Sequence, residues 1–329
     1  MSLNNAHEGY DYQDLLTSYF ILKEILKGNN KTTFYIDKKH TVGTYNVTTR
    51  DKDGSEKVTV KSTPDRFDDL VIVNDSKIQR KQIKYSNDSV ARKLIKNDFA
   101  NDSKGLALYE IYRTWNELKS SSSEFRLCLA WDKPVDDDIK NVLIPIQSET
   151  SSFLDYPTKL FKINLDEIWE NDSEPLSSWK NFRSFIIENS INRNDFKTFC
   201  DELIIELEFP KASLDFASPS YLENILYLQA EKLGVGQYPN NDVDINRFLI
   251  ILAKKVGEYR AKSAEVTVEN ILKDLKIKTD FGKIEQKFEI LNKNIGKFGK
   301  TIDFLEKNTL RIGLTAGVAG SLLGAAADS

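Results

Sequence analysis

The chain has 329 residues, 29% of them charged and 40% hydrophobic, with a net charge of −4. These values exclude a disordered chain and a disulfide-stapled miniprotein, and the length predicts two domains rather than one. The negative balance also excludes a uniformly basic coat, so any contact with nucleic acid has to be local.

Only Cys128 and Cys200 are present, far apart and in no zinc-ligand spacing, which predicts a reducing compartment. The first residues show no basic segment followed by an apolar one, so no secretory signal is read there and a cytoplasmic location is expected.

In chain order, Tyr12, Leu15, Leu16, Tyr19, Phe20, Leu22, Ile25 and Leu26 recur at steps of three and four and predict an amphipathic helix over 11–27, stopped by Gly28. Short β-type runs follow at 32–36, 44–49 and 57–62, the last two joined through Asp53-Gly54, a hairpin signal. Two more strands are expected at 69–73 and 78–85. A helix over 106–118 carries Leu108, Ile111, Tyr112 and Trp115 on one side, and the apolar run 125–131 reads as a buried central strand. Trp115 and Trp131 are assigned to the core, and Glu24 to a solvated face.

Beyond residue 150 the strand signal weakens, with 161–165 and 203–209 as edge candidates. Helical patterns cover 179–189, 195–203, 219–233, 244–261, 268–275 and about 281–308, Thr267 serving as a helix cap. The expected architecture is α/β, a mixed sheet flanked by helices over 1–150, then an all-α domain over 151–309. The tail 310–329 is apolar and rich in glycine and alanine, with Gly313/Gly317 and Gly320/Gly324 each four apart. That spacing suits close helix packing against a partner, while a membrane span or a frayed end are the other readings; a span needs about 20 apolar residues.

Two features carry chemistry. Lys77, Arg80, Lys81, Lys84, Arg92, Lys93 and Lys96 crowd into twenty residues, a pattern read either as a phosphate-binding face or as a solvated one. Within it, Asp68-Asp69 opens the apolar run Leu70-Val71-Ile72-Val73, and the next strand carries Gln82-Ile83-Lys84. Period-two geometry places Gln82 and Lys84 on one face with Ile83 turned into the core. An Asp at one strand and an oxygen donor with a Lys on the next can hold a hard cation and aid attack on a phosphodiester. Asp69 takes the principal metal position, Asp65 lies near enough to be a second acid, and Asp68 is expected to point to the other face; both Asp65 and Asp68 are candidate further metal ligands beside Asp69 and Gln82. A Q-x-K triplet alone is most often plain surface strand.

The joint order of Gly9-Tyr10-Asp11-Tyr12-Gln13 on the first helix, Asp68-Asp69-Leu70-Val71-Ile72 and Gln82-Ile83-Lys84 resembles the PD-(D/E)xK nuclease domain of bacterial anti-phage effectors. That family includes the nuclease partners of cyclic-oligonucleotide signalling enzymes and the nuclease subunit of Lamassu systems, and the chain is more distantly similar to the Mrr-type restriction nucleases. The resemblance covers residues 9–85. It implies a restriction-endonuclease-like fold with Asp69, Gln82 and Lys84 as catalytic core and Gln13 as a helix-borne site residue. It further implies double-stranded DNA as substrate, magnesium as cofactor with manganese as substitute, and regulation through a homo-oligomer or partner subunits such as an SMC-like ATPase. A membrane role is the less favoured reading. The chain departs from the pattern in carrying Gln82 where a carboxylate is usual, and in the hairpin near 44–62, which the motif does not include. No nucleotide-binding glycine motif is present, and His7 and His40 stand in no catalytic arrangement.

Overall fold

The computed structural model describes residues 3–38, 41–50, 54–75, 77–86, 92–100, 106–134, 137–147, 156, 158–170 and 174–277. The N-terminal part runs α1 (Leu3–Leu26), β1 (Thr33–Ile36), β2 (Thr41–Arg50), β3 (Glu56–Pro64), β4 (Leu70–Asn74), β5 (Lys77–Lys84), α2 (Lys96–Ala100), α3 (Leu108–Leu118), β6 (Ser123–Leu129), α4 (Asp137–Lys140) and β7 (Leu143–Ile146). It continues with β8 (Lys159–Ile163), β9 (Trp169–Glu170), β10 (Glu174–Pro175), α5 (Lys180–Glu188), α6 (Arg193–Glu202), β11 (Leu203–Leu207), α7 (Tyr221–Leu233), α8 (Ile245–Ala261), β12 (Glu265–Thr267) and α9 (Val268–Asp274).

One mixed sheet of eight strands organises the chain, in the order β12-β1-β4-β5-β6-β11-β8-β7. Only the β5–β6 and β6–β11 pairings in it are parallel. Alternation along the strands splits the side chains into two cores. On one face Phe34, Ile36, Leu70, Ile72, Ile83, Cys128 and Ala130 pack with α1, α7, α8 and α9. On the other, Phe125, Leu127, Leu129, Leu203, Ile205 and Leu207 pack with α3, α5 and α6. Each large apolar side chain removed from water contributes about 1.5–3 kcal/mol.

The first helix exceeds its predicted role. Every residue from Tyr12 to Leu22 is buried, because α7 and α8 cover the side of α1 that the sheet does not. A helix enclosed on all sides carries an apolar surface wider than a stripe. Glu24, expected in solvent, is 2% exposed and accepts from Lys27 and Asn29 at 2.8 and 2.7 Å. Its carboxylate thereby holds the turn that ends α1. Trp115 and Trp131 are core residues, as expected.

The stretch after residue 150 is not all-helical. β7 pairs with β8 across the predicted boundary, and β11 lies inside the sheet between β6 and β8 rather than at an edge. The run Leu203-Ile204-Ile205-Glu206-Leu207 is nearly continuously apolar, a pattern shared by doubly covered strands and buried helices. β12 adds three residues beside β1. Residues 278–309 and the tail 310–329, with the helix and the close-packing motif expected there, lie outside the described residues.

Candidate active site

β4 and β5 position the three central residues. β5 runs parallel to β6 with Gln82 opposite Leu127, Ile83 opposite Cys128 and Lys84 opposite Leu129. Gln82 and Lys84 therefore share the α3 face of the sheet, while Ile83 enters the core beneath α1. Antiparallel pairing of Leu70 with Lys81 brings Asp69, one residue earlier, opposite Gln82. The Asp69 carboxylate accepts hydrogen bonds from the Gln82 side-chain amide and, at 2.6 Å, from the Ile83 backbone N–H. Lys84, half-buried, makes no ion pair among the described residues. Asp69, Gln82 and Lys84 thus form one co-facial group.

Further acids stand at the ends of the neighbouring strands, Asp65 and Asp68 before β4 and Asp37 after β1. Asp65 is 4% exposed and accepts from the Phe67 N–H at 2.8 Å. Asp68 feels the charges of the neighbouring acids. Burial, then the negative charges of Asp69, Asp65 and Asp37, push its carboxyl up to about 7. Asp37 follows β1 in a left-handed conformation, φ 47°, and its N–H donates to the Asp69 carbonyl at 3.1 Å. Sequence reasoning missed Asp37; its only signal was its place directly after a strand, in register with Asp69.

Gln13 is not joined to this group by any hydrogen bond. It lies on α1, which covers the opposite face, is 7% exposed, and its side-chain N–H2 has no partner among the described residues. Its neighbours tie the middle of α1 to the rest of the chain. Tyr12 stacks on Tyr85 with ring centroids 4.2 Å apart, and Asp14 takes a two-point contact from Arg260 at 2.7 and 3.0 Å.

Apart from Lys84, the six other residues of the basic run do not share one surface. Lys81 is buried, 2% exposed, with its ammonium 4.4 Å from the Phe20 ring centre, and burial lowers its pKa. It belongs to the α1 face because it alternates with Gln82. Arg80, half-buried, lies on the α3 face near Asp65. Arg92 pairs with Asp98 at 2.6 Å and stacks on Trp131 at 4.0 Å, and Lys96 donates to Ser178 at 2.9 Å. Lys77 and Lys93 are exposed, at the start of β5 and beyond its end.

The donor chemistry here, carboxylates plus an amide oxygen, is that of a hard cation. Among the described residues no three His, Cys, Asp or Glu side chains converge closely enough to cage an ion. Magnesium requires no such cage, since it binds through one or two carboxylates and keeps several waters. Here the Gln82 amide turns its N–H2 toward Asp69, so a cation shared by that carboxylate and the Gln82 carbonyl requires the amide turned over. No protein-family model matches the chain, and no curated protein is similar to it at a significant level.

Proposed function

We propose that the chain is a metal-dependent endonuclease of the PD-(D/E)xK type that hydrolyses double-stranded DNA. The observation that carries this reading is the co-facial group Asp69, Gln82 and Lys84 on neighbouring strands. Asp69 and the Gln82 carbonyl would hold magnesium, or manganese in its place. When bound, the ion stabilises charge on the phosphate and lowers the pKa of attacking water. Lys84, free of a carboxylate partner among the described residues, is available to orient that water or to neutralise the developing oxyanion. Gln13 is assigned a supporting role through the placement of α1, and Asp65 and Asp68 act as auxiliary acids.

The same reading makes the protein an effector of bacterial anti-phage defence, cytoplasmic, held in check by homo-oligomerisation or by partner subunits such as an SMC-like ATPase. An unrestrained nuclease would destroy its host's DNA. A restriction-endonuclease-like core with a regulatory region after it is the corresponding fold reading. Plasmid DNA incubated with the concentrated protein should be lost with magnesium and preserved with EDTA; equal loss in both would remove the metal from the account.

One observation favours a second reading, a noncatalytic DNA-binding subunit. The Gln82 amide donates to Asp69, which closes the pair on itself. In that case DNA would be bound and never cut. A membrane effector gains nothing, since no helix among the described residues is long and apolar enough to cross a bilayer.

A further inference from the structure

We infer that the outer face of the α7–α8 pair is the docking surface for a segment of the same chain, residues 281–305, an inference independent of the nuclease reading. Six of the twelve large hydrophobic side chains left exposed among the described residues lie on these two helices or the loop between them: Tyr221, Tyr227, Leu228, Tyr238, Ile250 and Ile251. Apolar groups gathered in one exposed place mark a surface that something covers.

The two helices bring these groups to one level. α7 and α8 pack on each other, and both pack on α1. At the start of α7 the Leu222 N–H donates to the Lys211 carbonyl, next to Pro210, whose carbonyl accepts from the Tyr12 hydroxyl of α1 at 2.9 Å. At the end of α8, Arg260 meets Asp14, two residues on from Tyr12. The start of α7 and the end of α8 therefore lie beside the same part of α1, and the helices run antiparallel. Leu228 stands five residues before the end of α7 and Ile250 five residues after the start of α8, each about 7.5 Å along its axis from the connecting loop. While Leu226, Ala230, Leu249 and Leu252 turn into the core, Leu228 is 56% exposed and Ile250 52%.

The course of the chain selects the occupant. Tyr259 of α8 donates its hydroxyl to Asp274 of α9 at 2.7 Å, and Leu275 and Ile277 are buried in one core with Val256 and Tyr259. Residue 278 therefore follows from a point beside the second half of α8. From Tyr259 back to Ile250 is about 14 Å along the helix axis. Residues 281–305 lie outside the described residues, and their sequence carries an apolar stripe. Phe281, Ile284, Phe288, Leu291, Ile295 and Phe298 recur at alternating steps of three and four, continued by Ile302 and Leu305. That period writes one apolar seam along a helix, and a seam needs a partner surface. In helical form the segment would span about 37 Å, enough to reach past Ile250 and Leu228. Pairing with the same stripe of a second copy is disfavoured by Gly296 and Gly299, which weaken a helix that has no preformed surface to lie on. A link of residues 278–280 holds the stripe beside α8 at an effective concentration on the order of millimolar.

The test is limited trypsin digestion of the full chain, followed by mass spectrometry, because Lys283, Lys287, Lys293, Lys297 and Lys300 spread cleavage sites along the segment. In the variant Leu228→Asp/Ile250→Asp, cuts within 281–305 should appear at least about tenfold faster than in the wild type, since cleavage follows the population of the undocked segment. Phe288→Asp/Leu291→Asp should give the same acceleration from the other side of the contact. Both replaced α7–α8 side chains are exposed, and a thermal transition matching the wild type shows that the variant is folded. Equal cutting rates in the wild type and the folded α7–α8 variant would overturn the inference. Protection that is lost on dilution, together with a doubled mass in light scattering, would give the contact to a second copy and overturn it as well.

Discussion

At the scale of single residues, the account turns on alternation. Gln82 and Lys84 face α3 while Lys81 and Ile83 face α1, and one step in register separates a candidate catalytic group from a buried lysine. Lys81→Met should therefore leave duplex affinity and its salt dependence unchanged, because its ammonium lies over Phe20 and away from any ligand. A substantial loss of affinity in that variant would contradict the burial.

Asp68 gives a pH-dependent prediction. Its carboxyl titrates near 7 in the folded protein and near its ordinary value when unfolded, so the folded state binds the extra proton between about pH 4 and 7. Stability falls as pH rises through that window. Asp68→Asn removes the penalty, and in EDTA it should stabilise the protein at pH 8 by on the order of 1–3 kcal/mol after screening, with little effect at pH 4. Thermal melts of both proteins at the two pH values check this. Equal gains at both would mean that the crowding of Asp69, Asp65 and Asp37 is not felt.

At the scale of elements, the sequence was most readable where a helix or strand has one wet side. Predicted spans for α3, α5, α6, α7, α8 and α9 fall within about two residues of those observed. The Thr267 cap is also where its hydroxyl was placed, accepting from the Asn270 N–H at 3.2 Å. Thr267→Ala should cost about 1 kcal/mol, read from the shift in denaturant midpoint; no shift would show that α9 is held by packing alone. Doubly covered elements were harder. β11 reads as apolar in any conformation, and α1 conceals Gln13, Asp14 and Glu24 among its buried positions, where local pattern gives no sign of the partners that permit it.

Asp14 shows how such a partner works. Its carboxylate meets Arg260 of α8, and a methyl at Gly257 would approach Asp14 Oδ2 at 2.9 Å. Sequence separation of 246 residues hides the pair. Gly257→Ala should destabilise the fold by about 1–3 kcal/mol, as overpacking does. A melting temperature equal to the wild type would show that Asp14 moves aside without cost.

At the scale of the molecule, the eight-stranded sheet draws strands from both halves of the chain, so residues after 150 complete the layer that carries the site. Co-facial placement of Asp69, Gln82 and Lys84 was legible from spacing, since strand geometry depends only on period two. The closure of Gln82 onto Asp69, the entry of Asp37 and the scattering of the basic residues were not, because each depends on which strands become neighbours. Single-face burial sets local pattern; long-range pairing sets what converges.

The most direct measurement compares Lys84→Ala with the wild type in two assays on the same duplex, cleavage with magnesium and binding with EDTA. The account predicts that cleavage falls by at least about a hundredfold, the scale of a lost transition-state contact, while affinity changes less than about threefold. Cleavage that persists in the folded variant would contradict it.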